Sequence, residues 1–182
     1  AFLGFEFIDA AEIITFNTNG MLLLDETVKK IRARIDGINH AVVPGFYGST
    51  TEGTVKTFSR GGSDVTGSIL ANAVKASIYE NWTDVSGFLV TDPRIVDNPE
   101  VINVITYKEL RELAYMGASV LHEDAIFPVR TAGIPINIKN TNRPEDAGTM
   151  IVSDDHDFND DSTAHTITGI AGRKGFSTIN ID

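Results

Sequence analysis

The residues best suited to chemistry lie in Phe58-Ser59-Arg60-Gly61-Gly62-Ser63-Asp64, which joins a permanent cation, two glycines and two residues of helix-capping type. Val65, Ile69 and Ala73 recur at helical spacing just after it, which predicts a helix beginning near Asp64. Glycines before a helix N-terminus let backbone N–H groups converge on an anion, and the helix dipole favours negative charge there. Arg60 adds a planar fork that suits a carboxylate or a phosphate. The competing reading is a surface turn in which Ser63 or Asp64 caps the helix.

A second group, Trp82-Thr83-Asp84-Val85-Ser86-Gly87-Phe88-Leu89-Val90-Thr91-Asp92-Pro93-Arg94, follows a strand predicted over Ser77–Trp82. Ligands of open α/β sheets bind at such a carboxyl edge, and these side chains suit a sugar, phosphates and a metal. Against this, Asp84 and Asp92 also read as turn residues, with Pro93 ending the loop. A third group, Gly117-Ala118-Ser119-Val120-Leu121-His122, sits between two predicted helical pieces. His122 has no visible partner and reads as a capping or core histidine before a general base. His40, His156 and His165 lack ligand-like spacing, which argues against a histidine metal site.

The elements that must position these groups alternate. Phe2–Ile14 reads as a strand with its continuation, and Asp25–Ile38 as a helix capped by Asp25 and stopped by Gly37. Ala41–Val43 reads as a short buried strand, Thr51–Thr54 as a hairpin tip, and Gly87–Val90 as a further strand. Thr106-Tyr107-Lys108-Glu109 is a capping box that opens a helix running towards Met116. A second helical piece over Val120–Ala132 stops at Gly133, and Ile134–Lys139 alternates as a strand. Strands alternating with helices in this way indicate an α/β fold with a largely parallel sheet. The acidic segment from Ser153 to Ser162 lacks the glycine and glutamate of a calcium loop and reads as a solvated linker. Thr166–Ala171 and Phe176–Ile181 read as strands of a new unit.

Composition sets the limits. The 182 residues suffice for one well-cored domain, with no cysteine for disulfides, thiolate ligands or nucleophiles. The formal net charge of −10 argues against a nucleic-acid partner, and no apolar run is long enough to cross a membrane as a helix. A phosphate-bearing substrate stays compatible with that charge, because exposed charges are screened beyond about 8 Å at physiological salt. No Walker loop, dinucleotide fingerprint or nucleophile elbow occurs. The chain starts at Ala1 in a hydrophobic run, from which we expect a piece of a longer polypeptide whose targeting signals are not readable.

With the three groups in this order, the chain resembles the aspartokinase branch of the amino-acid kinase family. The resemblance is carried by Pro44-Gly45-Phe46-Tyr47-Gly48, Arg60–Asp64, Trp82–Val85, Thr91-Asp92-Pro93-Arg94, Gly117–His122, Ile134-Pro135-Ile136 and Asn140-Thr141. It implies a three-layer αβα sandwich with a mostly parallel sheet. Residues 1–152 would be the C-terminal, nucleotide-binding part of the kinase domain, 153–163 an acidic linker, and 164–182 the first strands of an ACT-type α+β regulatory domain. The implied activity is ATP-dependent phosphorylation of the side-chain carboxylate of L-aspartate to 4-phospho-L-aspartate, the committing step towards lysine, threonine and methionine. Mg²⁺ would arrive with ATP, with no metal ligand supplied by the protein. A cytoplasmic homo-oligomer assembled through the regulatory region is also implied.

By the same resemblance, Arg60 would clamp a carboxylate of aspartate, Ser63 would hydrogen-bond that substrate, and Gly61 and Gly62 would let the backbone approach it. Asp64 would orient the cationic groups around the phosphates. Thr83, Asp84, Leu89, Asp92, Arg94, Ser119 and Val120 would face the nucleotide. A carboxylate nucleophile is already ionised at neutral pH, so the absence of an evident histidine base fits this chemistry. The chain departs from the pattern in lacking the family's Lys-Phe-Gly-Gly motif and upstream glutamate. It also has Leu89 where an aromatic is common and Ser119 where many members have lysine. The expectation is therefore little activity from these residues alone. Two alternatives are a binding or assembly fragment that keeps the fold without catalysis, and a kinase for another amino acid such as glutamate.

Overall fold

An aspartate divides the apolar amino-terminal run. The computed structural model describes residues 4–115, 121, 123–156, 167–172 and 175. In it strand β1 (Glu6–Phe7) ends before Asp9, whose carboxylate accepts a 2.9 Å hydrogen bond from the Ala11 N–H and caps helix α1 (Ala10–Ile13). The strand expected over Phe2–Ile14 is thus corrected: the Asp9 side chain satisfies a helical N–H and favours a turn of helix over strand pairing. Strand β2 (Thr15–Phe16) follows.

Helix α2 (Leu24–Ile35) starts one residue before the expected cap. Leu23 occupies the cap position without a side-chain bond, so Asp25 lies in the first turn beside Glu26, where acids complement the helix dipole. The helix buries Ile31 and stops ahead of Gly37, which takes φ +73° as expected. Strand β3 (Ala41–Val42) pairs in parallel with β1, but both strands are exposed, Val42 by 42%. The buried strand expected there is therefore corrected to an exposed one. Strands β4 (Tyr47–Thr50) and β5 (Val55–Thr57) form the expected hairpin around Gly53, and β2 pairs in parallel with β4.

Helix α3 (Gly62–Val74) ends with Lys75 in the left-handed region, its N–H bonded to the Ala71 and Asn72 carbonyls. The chain then enters strand β6 (Tyr79–Thr83), strand β7 (Val104–Thr106) and helix α4 (Tyr107–Tyr115). Helix α5 (Glu123–Thr131), strand β8 (Ile136–Asn140) and strand β9 (Thr149–Val152) complete the described elements. The alternation read for β8 holds, with Ile136, Ile138 and Asn140 buried. Strands β7 and β9 escaped the sequence reading; each is only three or four residues of mixed apolar and threonine character. Gly87–Val90 is a loop rather than a strand, with an isolated antiparallel bridge between Leu89 and Val101.

The chain forms two units, Ala1–Asn81 with Leu121–Ile136, and Trp82–Val120 with Asn137–Asp182. The core of the first gathers Ile8, Ile13, Ile14, Phe16, Ile31 and Ile69, all buried. Here α3 packs on α5, with the Asn72 amide donating to the Pro128 carbonyl at 2.6 Å. Pro128 has no N–H to give the ladder of α5, and the buried Val129 N–H donates to the Ser68 hydroxyl at 3.2 Å. The second unit buries Phe88, Ile102, Ile105, Leu110, Ile138 and Ile151 around the four-stranded sheet of order β6-β8-β9-β7. Strands β1–β3, β2–β4 and β7–β9 pair in parallel and β4–β5 antiparallel, in keeping with the expected α/β class.

The capping box at α4 forms as read. Glu109 N–H donates to the Thr106 hydroxyl at 3.2 Å, while the Glu109 carboxylate accepts from the Thr106 N–H at 2.9 Å. Burial pushes the Glu109 carboxyl up, but bonds from Thr168 and Thr106 outweigh it and hold it below the usual range. Thr106→Ala should lower stability by about 1 kcal/mol, the usual effect of losing a cap, read as a fall in the urea midpoint without a change in slope. An unchanged midpoint would show that the box is dispensable. Residues 167–172 form no strand; the Ile170 N–H bonds the Val90 carbonyl at 2.7 Å. The strand expected over Thr166–Ala171 is corrected at these positions, while Phe176–Ile181 and residues 157–166, which include residues 157–163 of the expected linker, lie outside the described residues.

Candidate active site

Two groups of the expected site residues are described, one in each unit. In the first unit the turn before α3 is built by Gly61, which takes φ 58° and ψ 26° at the cap position. No side chain caps this helix end, so the reading of Ser63 or Asp64 as its cap is corrected. Both lie in the first turn, where helical N–H groups have no intrahelical acceptor. A left-handed residue directly before a helix turns successive N–H groups to one side, the arrangement that receives anions. Arg60 is exposed and makes no hydrogen bond or ion pair with the described residues.

Gly62 is set by packing. A Cβ there would lie 2.7 Å from the Phe46 ring and 2.8 Å from Phe58 Cβ. Phe46 itself holds φ +84°, a conformation that side-chain-bearing residues seldom adopt. It is kept there by a bond from its N–H to the Thr66 hydroxyl at 3.1 Å and by the Phe58 N–H donating to its carbonyl at 2.9 Å. Thr66 in turn donates to the Gly62 carbonyl at 2.7 Å. The Gly45-Phe46 loop and the start of α3 are thereby locked together.

Asp64 is held from β6. The Asn81 amide donates to Asp64 Oδ1 at 3.0 Å and to the Tyr79 hydroxyl at 3.0 Å. Burial raises the Tyr79 phenol above its ordinary range, and the Asp64 charge adds to the rise, against the lowering by the Asn81 bond. Neither Tyr79 nor Asn81 was read from sequence as a site residue. The only available signal was a tyrosine and an asparagine two residues apart on the strand predicted over Ser77–Trp82.

In the second unit, Thr83 ends β6 with its carbonyl accepting from the Thr141 N–H at 2.8 Å and the Thr141 hydroxyl at 2.9 Å. The Thr83 hydroxyl lies 3.2 Å from Asp84 Oδ1, and Asp84 is exposed. Lys139 sits 5.5 Å from the Trp82 ring centroid and donates to the Asp146 carbonyl at 2.7 Å. The buried Thr149 hydroxyl accepts from the Phe88 N–H at 2.8 Å and donates to the Ile102 carbonyl at 2.6 Å, which anchors the loop ahead of Leu89. Leu89 is 38% exposed. Thr149 is another site-supporting residue that no spacing in the sequence disclosed.

Asp92 and Arg94 engage each other. The Arg94 guanidinium bonds Asp92 Oδ2 at 2.6 Å through Nη2 and Oδ1 at 2.9 Å through Nε, and the Arg94 N–H donates to Oδ1 at 2.8 Å. The turn reading of Asp92 therefore holds. These bonds hold the Asp92 carboxyl at about 2 and raise the Arg94 guanidinium further. A depressed carboxyl contributes order above its ordinary titration range, and that order disappears as pH falls through about 2. Asp92 should accordingly titrate near 2 by carbon-detected NMR, and Arg94→Ala should return it towards 3.8. Titration of the unmodified chain near 3.8 would exclude the pairing in solution. Ser119, Val120 and His122 lie outside the described residues, so the structure places neither the nucleotide roles of the first two nor the histidine. Among the described residues, no group of three or more His, Cys, Asp or Glu is arranged to hold a metal, and no helix is long and apolar enough to cross a membrane.

The chain belongs to the amino acid kinase family, whose model matches residues 8–140. It is 44% identical over 176 residues to aspartokinase 3 of Bacillus subtilis, covering 95% of this chain and 37% of that protein. The crystal structure of Clostridium acetobutylicum aspartate kinase matches with a TM-score of 0.86 and 61% identity, over 93% of this chain and 38% of that one. E. coli aspartokinase III, solved in complex with aspartate and ADP, matches with a TM-score of 0.73 and 29% identity, over 84% of this chain and 35% of that one. The chain therefore spans 35–38% of the length of these relatives.

Proposed function

We propose that this chain supplies the aspartate clamp and the nucleotide loop of an aspartate kinase. The observation that carries the reading is the turn before α3, where an exposed Arg60 precedes the left-handed Gly61 and a helix end that no side chain caps. Arg60 binds a carboxylate of L-aspartate through its fork, and Ser63 donates to the same substrate. Gly61 and Gly62 keep side chains out of the way of that approach. The side-chain carboxylate attacks the γ-phosphorus of ATP: a phosphorus–oxygen bond forms to aspartate, and the bond to the β,γ-bridging oxygen breaks, releasing ADP. No proton needs removal, so positioning and charge neutralisation dominate.

Asp64 orients the cationic groups around the transferring phosphoryl group. Thr83, Asp84 and Leu89 face the nucleotide, and the Asp92-organised turn presents Arg94 near its phosphates. Ser119 and Val120 complete the nucleotide side. Mg²⁺ enters bound to the phosphates of ATP and neutralises their charge. The product is 4-phospho-L-aspartate, in a cytoplasmic protein that assembles through a regulatory region. The aspartokinase relatives, and the aspartate and ADP bound in one of them, support this reading.

The test places residues 8–140 in the matching segment of Bacillus subtilis aspartokinase 3 and traps acyl phosphate as the hydroxamate. Turnover of L-aspartate with little of L-glutamate is expected. Preference for glutamate would overturn the assignment. A parallel titration of the chain itself with Mg²⁺ and a non-hydrolysable ATP analogue reports nucleotide binding, which Arg94→Ala should weaken.

A further inference from the structure

We propose that Asn81 is a positioning residue that holds the Asp64 carboxylate for phosphoryl transfer, a proposal that rests on the function given above. Asn81 is 8% exposed and lies on β6, 17 residues from Asp64 in the chain. An amide nitrogen has two hydrogens, and both are used: one donates to Asp64 Oδ1 at 3.0 Å and the other to the Tyr79 hydroxyl at 3.0 Å. The phenol end of Tyr79 is itself wedged against α3, since a Cβ on Gly67 would come within 2.6 Å of its oxygen. The amide therefore has one rotational setting, defined by Tyr79 on one side, and that setting aims its second hydrogen at Asp64. A carboxylate on an otherwise open first turn samples several rotamers, whereas one oxygen pinned by a buried donor leaves the other presented in a fixed direction.

Leucine at position 81 matches the volume and removes both donors, and aspartate keeps the shape but sets a carboxylate against Asp64. The first test needs no ligand. In the NMR spectrum of the full 182-residue chain, the Asn81 side-chain amide resonances should shift when Asp64→Asn removes the acceptor charge, and should broaden or shift in Tyr79→Phe. Amide signals indifferent to Asp64→Asn would overturn the proposal whatever the protein binds.

The second test titrates the same chain with Mg²⁺ and a non-hydrolysable ATP analogue. Asn81→Leu should leave the melting temperature within a few degrees of the parent and weaken the analogue roughly tenfold, as for a lost hydrogen bond to a charged group. Asn81→Asp should weaken it further, and Tyr79→Phe by a smaller factor. Undiminished affinity in both Asn81 variants would overturn the proposal, as would equal weakening by Tyr79→Phe and Asn81→Asp. If the parent chain binds neither the analogue nor L-aspartate, the functional reading fails by itself, and the amide signature still decides the role of Asn81.

Discussion

Arg60→Ala is expected to raise the KM for L-aspartate by about two orders of magnitude in the hydroxamate assay of the grafted enzyme. Truncating one partner of a desolvated charge pair costs about 2–5 kcal/mol, and each 1.4 kcal/mol is a factor of ten. Arg60 spends none of its donors on the described residues, so the whole fork is available to substrate. Arg60→Lys keeps the charge but loses the two-pronged geometry, and an intermediate KM is expected. Because the nucleotide contacts lie elsewhere in the sequence, the KM for ATP should change far less. A variant with unchanged aspartate KM would remove Arg60 from the substrate site and leave the turn before α3 as a structural feature.

Gly62→Ala should be the most damaging single methyl group in the motif. The new Cβ would meet the Phe46 ring at 2.7 Å, Phe58 Cβ at 2.8 Å and Phe46 Cα at 3.1 Å. One of these is a ring that can tilt, but the other two belong to backbone-fixed positions on both sides. Overpacking of this kind costs about 1–3 kcal/mol. It also acts on Phe46, whose φ of +84° already stores strain and whose N–H and carbonyl are both committed. The expected result is a clear fall in melting temperature together with weaker aspartate binding, as the Gly45-Phe46 loop is pushed from the start of α3. Gly61→Ala offers the contrast. Its φ of +58° makes any side chain unfavourable by about 1 kcal/mol, so a smaller loss of stability is expected. Equal melting temperatures for Gly62→Ala and the parent would show that Phe46 and Phe58 adjust without strain.

The candidate site was legible in the sequence to the extent that its chemistry is local. Arg60, the two glycines and the following helix are contiguous, and their types already specify a cation beside a glycine turn that opens a helix. The capping box over Thr106 and Glu109 was readable for the same reason, since its partners are three residues apart. Asp9 was missed although its bond is equally local, because the apolar neighbours on either side suggested a strand and outweighed one polar residue. The cap assigned to Asp25 lies two residues too late, since Leu23 occupies the cap position with no side-chain bond at all.

Other features were decided between distant segments. That Asp64 is braced rather than free depends on Asn81, Tyr79 and the bare Gly67, and that Phe88 is anchored depends on Thr149. By itself the sequence determined the α/β class and the order of the motifs. Only the tertiary structure decided which of those residues stand open and which are held, and by what. The physical reason is reach: periodicity and capping act over about four residues, whereas a hydrogen bond between β6 and α3 exists only once folding brings both to the same place.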